Sequence, residues 1–213
     1  MNRNNHSGPR AFAVFCIAAL GLAAAAASAG IPAASASFVS ARLFLCPAGD
    51  SMFVVIPRHI SGNPWVEGAV WVDLCGCPNV HLSRGGAQGY TLDAAGCVAT
   101  EQPPADAIYR FALAGGGLCP GGSFRVYAGG VLLAIRTDVA SPDQNGDLSV
   151  DSIDVALVRS KLGTADPGAD LDGDGIVTES DAALAVAHLG HASPDRPTPA
   201  LPTTWGRIKT LYR

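Results

Sequence analysis

Between residues 38 and 136 apolar and polar positions alternate in short runs, and the period then lengthens toward the C-terminal end. β-Branched or alternating stretches fall at 38–45, 52–57, 69–74, 79–82, 108–113 and 124–136, with Gly and Pro between them. That pattern predicts strands, the last run being broken by Ala128-Gly129-Gly130 into a hairpin. Farther on, Val155, Val158 and Leu162 stand at i, i+3, i+7, as do Ala182, Ala185 and Leu189, with Leu157 and Leu184 widening each stripe. Two short amphipathic helices are predicted, stopped by Gly163 and Gly190. Pro142 before the first and Asp166-Pro167-Gly168 before the second leave no room for an entering helix on either.

A repeat precedes the two helices. Residues 143–154 and 170–181 lie 27 positions apart, and aligning 143–163 with 170–190 gives nine identities in 21, the Asp at both ends of each loop, the valines Val150 and Val177, and the closing Leu-Gly among them. Oxygen-bearing residues stand at positions 1, 3, 5 and 12 of both twelve-residue loops, the spacing at which a loop wraps a hard cation in carboxylate and carbonyl oxygens. The first loop offers Asp143, Asn145, Asp147, the Ser149 carbonyl, Asp151 through water, and Asp154. The second offers Asp170, Asp172, Asp174, the Ile176 carbonyl, Thr178 and Asp181. Four carboxylates in each loop repel one another unless a cation sits among them, so two calcium ions and coupling of folding to metal are expected. Leu148 replaces at position 6 the glycine that Gly175 supplies in the second loop. The first site is expected to be the weaker.

A duplicated loop with only an exiting helix resembles the dockerin type I module, over about residues 143–191. The resemblance implies calcium binding, a cohesin-like protein partner and, by family association, extracellular polysaccharide degradation. In that family residues 10 and 11 of each loop help to select the cohesin. Here they are Ser152-Ile153 and Glu179-Ser180, which do not form a symmetric pair.

The N-terminus carries Arg3 and Arg10, an apolar stretch over 11–27, and Ala27-Ser28-Ala29. This reads as a secretory signal peptide over 1–29, with Ala34-Ser35-Ala36 as a second cleavage motif. No other run approaches a membrane span. The expected location is therefore extracellular, periplasmic or at the cell surface. Without residues 1–29 the balance is 12 basic against 18 acidic residues, and 11 of those acids fall within 138–192 against Arg159 and Lys161 alone. A surplus so placed excludes a nucleic-acid surface and fits a metal-loaded segment.

Five cysteines remain after the leader: Cys46, Cys75, Cys77, Cys97 and Cys119. In an exported chain they predict at most two disulfides and one odd thiol. Spacing does not determine the pairing, and Cys77 with Cys97 is the expectation. Cys75-Gly76-Cys77 with His81 is too tightly spaced for a zinc site.

Segment 61–72, containing Gly62-Asn63-Pro64 and Gly68-Ala69-Val70, resembles a turn-to-strand element of bacterial immunoglobulin-like repeats. The expected fold is thus an all-β immunoglobulin-like sandwich over 38–137, followed over 141–192 by a small all-α dockerin-like module of two calcium loops and helices. A Pro-rich spacer (193–202) and a basic aromatic tail (203–213) complete the chain. No H-E-x-x-H, G-x-S-x-G or P-loop occurs, and His59 and His81 stand alone. The chain reads as a noncatalytic attachment protein. Two alternatives stay open: a self-contained structural protein that uses calcium only for stability, and a small carbohydrate-binding protein with Trp65 and Trp71 as its platform.

Overall fold

The structure, a computed structural model, describes residues 30–84 and 89–195. The leader at 1–29 and the chain from 196 onward lie outside them. Among the described residues, twelve strands and two helices make the fold mostly β, with both helices near the C-terminal end. Three strands, β1 (Phe38–Val39), β3 (Phe53–Ile56) and β8 (Tyr109–Phe111), form one antiparallel sheet in the order β1-β3-β8. A second antiparallel sheet holds β4 (Val70–Asp73), β6 (Thr91–Leu92), β7 (Val98–Glu101), β10 (Phe124–Ala128) and β11 (Val131–Arg136) in the order β11-β10-β4-β7-β6.

Alternation dictates the packing. Phe53, Val55, Tyr109 and Phe111 of the first sheet and Val70, Val72, Phe124 and Val126 of the second are buried in one apolar core. Phe53 and Phe124 meet edge to face across the sheets at 5.7 Å between ring centroids. Each such side chain contributes about 1.5–3 kcal/mol by leaving water. Tyr109 is fully buried, and its hydroxyl donates to the Gly68 carbonyl at 2.6 Å, so the polar end is satisfied.

The hairpin at 124–136 forms, and both Gly129 and Gly130 have positive φ (52° and 86°), as a two-residue turn requires. Other expectations change. The run at 38–45 is split into β1 and β2 (Leu43–Phe44), which pair with different strands, and 79–82 shortens to β5 (His81–Leu82), which pairs with β9 (Gly115–Gly116). The β6–β7 hairpin has no counterpart in the sequence pattern. Among its paired residues only Ala99 is fully buried, which leaves no alternating signal. Trp65 is 3% exposed, with its indole donating to the Gly30 carbonyl at 2.8 Å, and this removes it from any sugar platform. Trp71 instead stacks on Tyr127 at 5.5 Å.

Among the described residues two disulfides form, but not in the expected pairing. They join Cys75 to Cys97 and Cys77 to Cys119, leaving Cys46 free and buried. The β4–β7 register, extended by the Leu74 N–H to the Cys97 carbonyl at 2.9 Å, puts Cys75 beside Cys97. Two residues on, Cys77 points into the core and reaches Cys119.

Two further features join the sandwich to the C-terminal helical module. β12 (Val139–Ala140) pairs in parallel with β2, and Ala140 and Phe44 pack with the helical core. Ser193 donates to Ser83 at 2.6 Å, and Asp195 accepts from the Ser83 hydroxyl and the Arg84 N–H. The start of the predicted spacer is therefore held against the sandwich.

Candidate metal centre

Each acidic loop runs directly into a helix, α1 (Ser152–Ser160) or α2 (Glu179–Ala187). The junction is built by capping chemistry. Asp151 caps α1 by accepting from the Ile153 N–H at 2.7 Å, and Thr178 caps α2 by accepting from the Ser180 N–H at 3.2 Å. Three residues on, Asp154 and Asp181 reach back to the Asp151 and Thr178 N–H groups at 2.9 and 2.7 Å, closing a capping box on each helix. The ninth and twelfth loop residues thus start the helix as well as belonging to the candidate ligand set.

The rest of each loop is folded around its own carboxylates in a pattern that repeats at the same offsets. Asp143 accepts from the Gly146 N–H at 2.8 Å and the Leu148 N–H at 2.9 Å; Asp170 accepts from Gly173 at 2.7 Å and Gly175 at 2.9 Å. Asp154 accepts from Gln144 and Asn145 at 2.9 and 3.2 Å, and Asp181 from Leu171 and Asp172 at 2.5 and 3.0 Å. Asn145 and Asp172 each accept from the residue two farther on, at 2.8 and 3.1 Å. Such bonds curl the backbone so that side-chain oxygens face inward. In the second loop one oxygen from each of Asp170, Asp172 and Asp174 lies within 4.8 Å of the others. A hard cation with oxygen ligands at about 2.3–2.6 Å fits a donor set of that kind. The Ile176 carbonyl and Thr178 follow in the same loop, and the Ile176 side chain is turned out to solvent.

The first loop differs in three respects. Asn145 supplies a neutral oxygen where Asp172 supplies a charged one. Leu148 adopts φ 63°, the left-handed region that Gly175 occupies at 97°, and its side chain is buried. Finally, Gly146 and Asp147 are half-buried and Leu148 and Ser149 buried, whereas their counterparts Gly173, Asp174, Gly175 and Ile176 are all exposed. Burial, reinforced by the Asp154 charge, pushes the Asp143 carboxyl up to about 6 against the hydrogen bonds from Gly146 and Leu148. Burial also raises Asp154. Burial acts the same way on Asp181, but the N–H groups of Thr178, Asp172 and Leu171 outweigh it and hold that carboxyl below the usual range.

The sandwich causes the asymmetry. Gly116 packs on the Asp143 carboxylate so closely that a Cβ there would overlap Oδ2, and the Gly117 N–H donates to the Asp143 carbonyl at 2.9 Å. At the second loop Arg42 forms an ion pair with Asp138 at 3.4 Å and its guanidinium lies over Gly173. A cleft of about 560 Å³ remains between the two parts, lined by Leu118, Pro120, Val139, Lys161 and Pro167 among others.

The helices pack through Val155, Val158, Ala182 and Ala185, with Ala169, Leu171 and Val177 from the loops. Leu162 and Leu189, expected on the same stripes, are 39% and 44% exposed because the helices end at Ser160 and Ala187 and the chain turns away. Ile153, Ala156, Arg159 and Ser160 of α1 and Ser180, Ala183, Val186 and Ala187 of α2 face solvent. Lys161, just past the end of α1, turns away from that face and bonds to Gln144 at 3.0 Å and Asp166 at 3.2 Å.

His59 pairs with Glu67 at 3.2 Å. Burial pushes the Cys46 thiol up to about 12, the opposite of an activated nucleophile.

Residues 141–190 match the family model of the dockerin type I domain. No curated protein and no solved structure matches the chain. Dockerin type I domains are non-catalytic modules that bind calcium and attach proteins to cohesin-type partners. No helix among the described residues is long and apolar enough to cross a membrane.

Proposed function

We propose that this chain is an exported, noncatalytic calcium-binding protein in which a dockerin-like module attaches an immunoglobulin-like sandwich to a cohesin-type partner outside the cytoplasm. The observation that carries the reading is the repetition of loop hydrogen bonds, at equal offsets, ahead of two helices whose outer faces are open. Two ions are bound, one per loop. Asp143, Asn145, Asp147, Ser149, Asp151 and Asp154 hold the first, and Asp170, Asp172, Asp174, Ile176, Thr178 and Asp181 the second. Calcium supplies positive charge that relieves carboxylate repulsion and fixes the loops, and with them the angle between the helices. Family association connects such attachment with extracellular polysaccharide degradation.

A second reading has its own support. The first loop is buried against β9 and the segment after α2 is bonded to Ser83, so calcium also stabilises the sandwich. In the purely structural version nothing is recruited. Calorimetry of the full chain against a panel of extracellular cohesin domains, with calcium and with chelator, separates the two. Calcium-dependent binding supports attachment; calcium-dependent melting with no binding to any cohesin leaves only the structural role.

A further inference from the structure

Four side chains from opposite ends of the chain converge at the seam between the sandwich and the second helix. Cys46 follows β2, Asp50 lies four residues on, His188 ends α2 and His191 follows the Gly190 turn. Sequence separations of 142 and 145 residues hide this from any local motif. Their donor atoms, Cys46 Sγ, Asp50 Oδ2 and the Nδ1 atoms of both histidines, all lie within 4.8 Å of one another. Cys46 Sγ is 3.6 Å from His188 Nδ1 and 3.3 Å from His191 Nδ1, and the two Nδ1 atoms are 3.2 Å apart. Asp50 Oδ2 is 3.3 Å from each.

We propose that Cys46, Asp50, His188 and His191 form a tetrahedral site for a zinc-class divalent ion that clamps the calcium module to the sandwich. Zinc bonds of about 2.0–2.1 Å to nitrogen or oxygen and about 2.3 Å to sulfur place tetrahedral neighbours about 3.3 Å apart, or about 3.6 Å where sulfur is one of them. Five of the six separations fall at or within a few tenths of an ångström of those edges, and the sixth, Cys46 to Asp50, is within 4.8 Å. Protons serve only some of these contacts. Each hydrogen lies along one edge, and the thiol and two Nδ1 positions can place at most three hydrogens among the close contacts, whereas one central cation serves every edge at once.

The donor set also selects the metal. One thiolate, two imidazoles and one carboxylate suit zinc, while calcium and magnesium require mostly oxygen. Thiolate plus carboxylate balances a divalent ion, so the loaded site is neutral where Cys46 is fully buried. Asp50 and His191 are each about a third exposed on their side chains, which leaves an entrance. Phe44 packs on His188 at 5.6 Å between ring centroids and holds the ring in place. The proposal does not depend on the calcium loops or on a cohesin partner.

The test uses the full chain, stripped of metal, with its disulfides intact, Cys46 reduced and calcium saturating the acidic loops. Cobalt(II) is the probe and zinc the competitor. The expected result is one equivalent of cobalt with the intense visible absorption of a four-coordinate ion and a near-ultraviolet thiolate-to-cobalt band, bleached by one equivalent of zinc. Zinc at about a hundredfold excess over its Kd should raise the melting temperature by about 5–10 °C. Cys46→Ser should abolish the thiolate band, and His191→Ala should weaken cobalt binding at least about tenfold. Weak, six-coordinate absorption, no saturable binding in calcium, or a thiolate band that survives Cys46→Ser would overturn the site. If Cys46→Ser does not fold, the parent spectrum decides the question alone.

Discussion

Gly116 and Asp143 are in direct contact, a backbone of the sandwich against the first carboxylate of the acidic loop, with no space for a Cβ between them. The Gly116 backbone lies outside the left-handed region, so a side chain there meets no backbone strain, only the carboxylate. Gly116→Ala should displace Asp143 from the N–H groups of Gly146 and Leu148. We expect first-loop calcium affinity to fall at least about tenfold, near ~1.4 kcal/mol, with the second loop unchanged. Calcium calorimetry reads both sites; equal weakening of the two would contradict the contact.

Leu148 makes an unusual prediction because its strain and its burial oppose each other. The left-handed backbone costs on the order of 1–2 kcal/mol in a non-glycine residue, while burying the side chain returns about 2 kcal/mol. Leu148→Gly relieves the strain but loses the packing, so it should lower stability, contrary to what the loop pattern alone suggests. Leu148→Ala loses the packing and keeps the strain. Alanine should therefore melt below glycine by roughly 2–4 °C, the reverse of the order usual for exposed helix or strand positions. Thermal melts of both variants in calcium decide it.

The division of labour within the second loop separates folding from metal binding. Asp181 closes the capping box of α2 and accepts four hydrogen bonds, whereas Asp172 accepts one, from Asp174. In chelator, Asp181→Ala should lose about 1–2 kcal/mol with the cap and part of the helical circular dichroism. Asp172→Ala should leave the chelated spectrum alone and reduce only the response to calcium. Identical chelated spectra for both variants would refute the dual role.

These local relationships are legible in the sequence because loop, cap and exiting helix are all encoded within a dozen residues. Asp151 and Asp154 stand at fixed offsets from the helix they start. The seam is not legible. The parallel pairing of β2 with β12 and the meeting of Cys46 with His191 depend on how the chain returns across the molecule, and Cys75 and Cys77 differ only in which way a turn points them. Leu162 and Leu189 carry the correct period, but each helix stops before its last turn reaches the core.

Glu101 predicts a pH dependence in the sandwich. Its Oε2 is buried with no hydrogen-bond partner among the described residues, and burial raises the carboxyl to about 7 against the pull of Arg110. Because the folded state holds the proton more tightly than the unfolded chain, the contribution of Glu101 to stability is fullest below about 4.5, falls as pH rises toward 7 and then levels off. Partial exposure reduces the effect to on the order of 1 kcal/mol. Glu101→Gln should therefore raise the melting temperature at about pH 8 by roughly 2–4 °C and change it little at about pH 4. Melts across that range with calcium held saturating test it, and an equal gain at both ends would point to packing instead of charge.

The attachment reading makes the last prediction, on the open faces of the helices. Equivalent positions of the repeat carry Ile153 and Ser180, Ala156 and Ala183, Arg159 and Val186, so the two faces share a shape but not a chemistry. Ile153 is 58% exposed and Val186 43%. Arg159 lies 4.0 Å from Glu179 with more than half its side chain free, while Lys161 is tied to Asp166 and Gln144 and reports on folding rather than on a partner. A cohesin-type partner that reads one face should discriminate between them, since an arginine and a valine cannot satisfy the same pocket. Ile153→Asp and Val186→Asp, each made alone, should differ: one should weaken binding at least about tenfold and the other by no more than about twofold. Arg159→Glu should follow the Ile153 variant, and calcium affinity should move only slightly in all three. Equal losses from Ile153→Asp and Val186→Asp would mean that the partner accepts both orientations and that the asymmetry of the faces is not used.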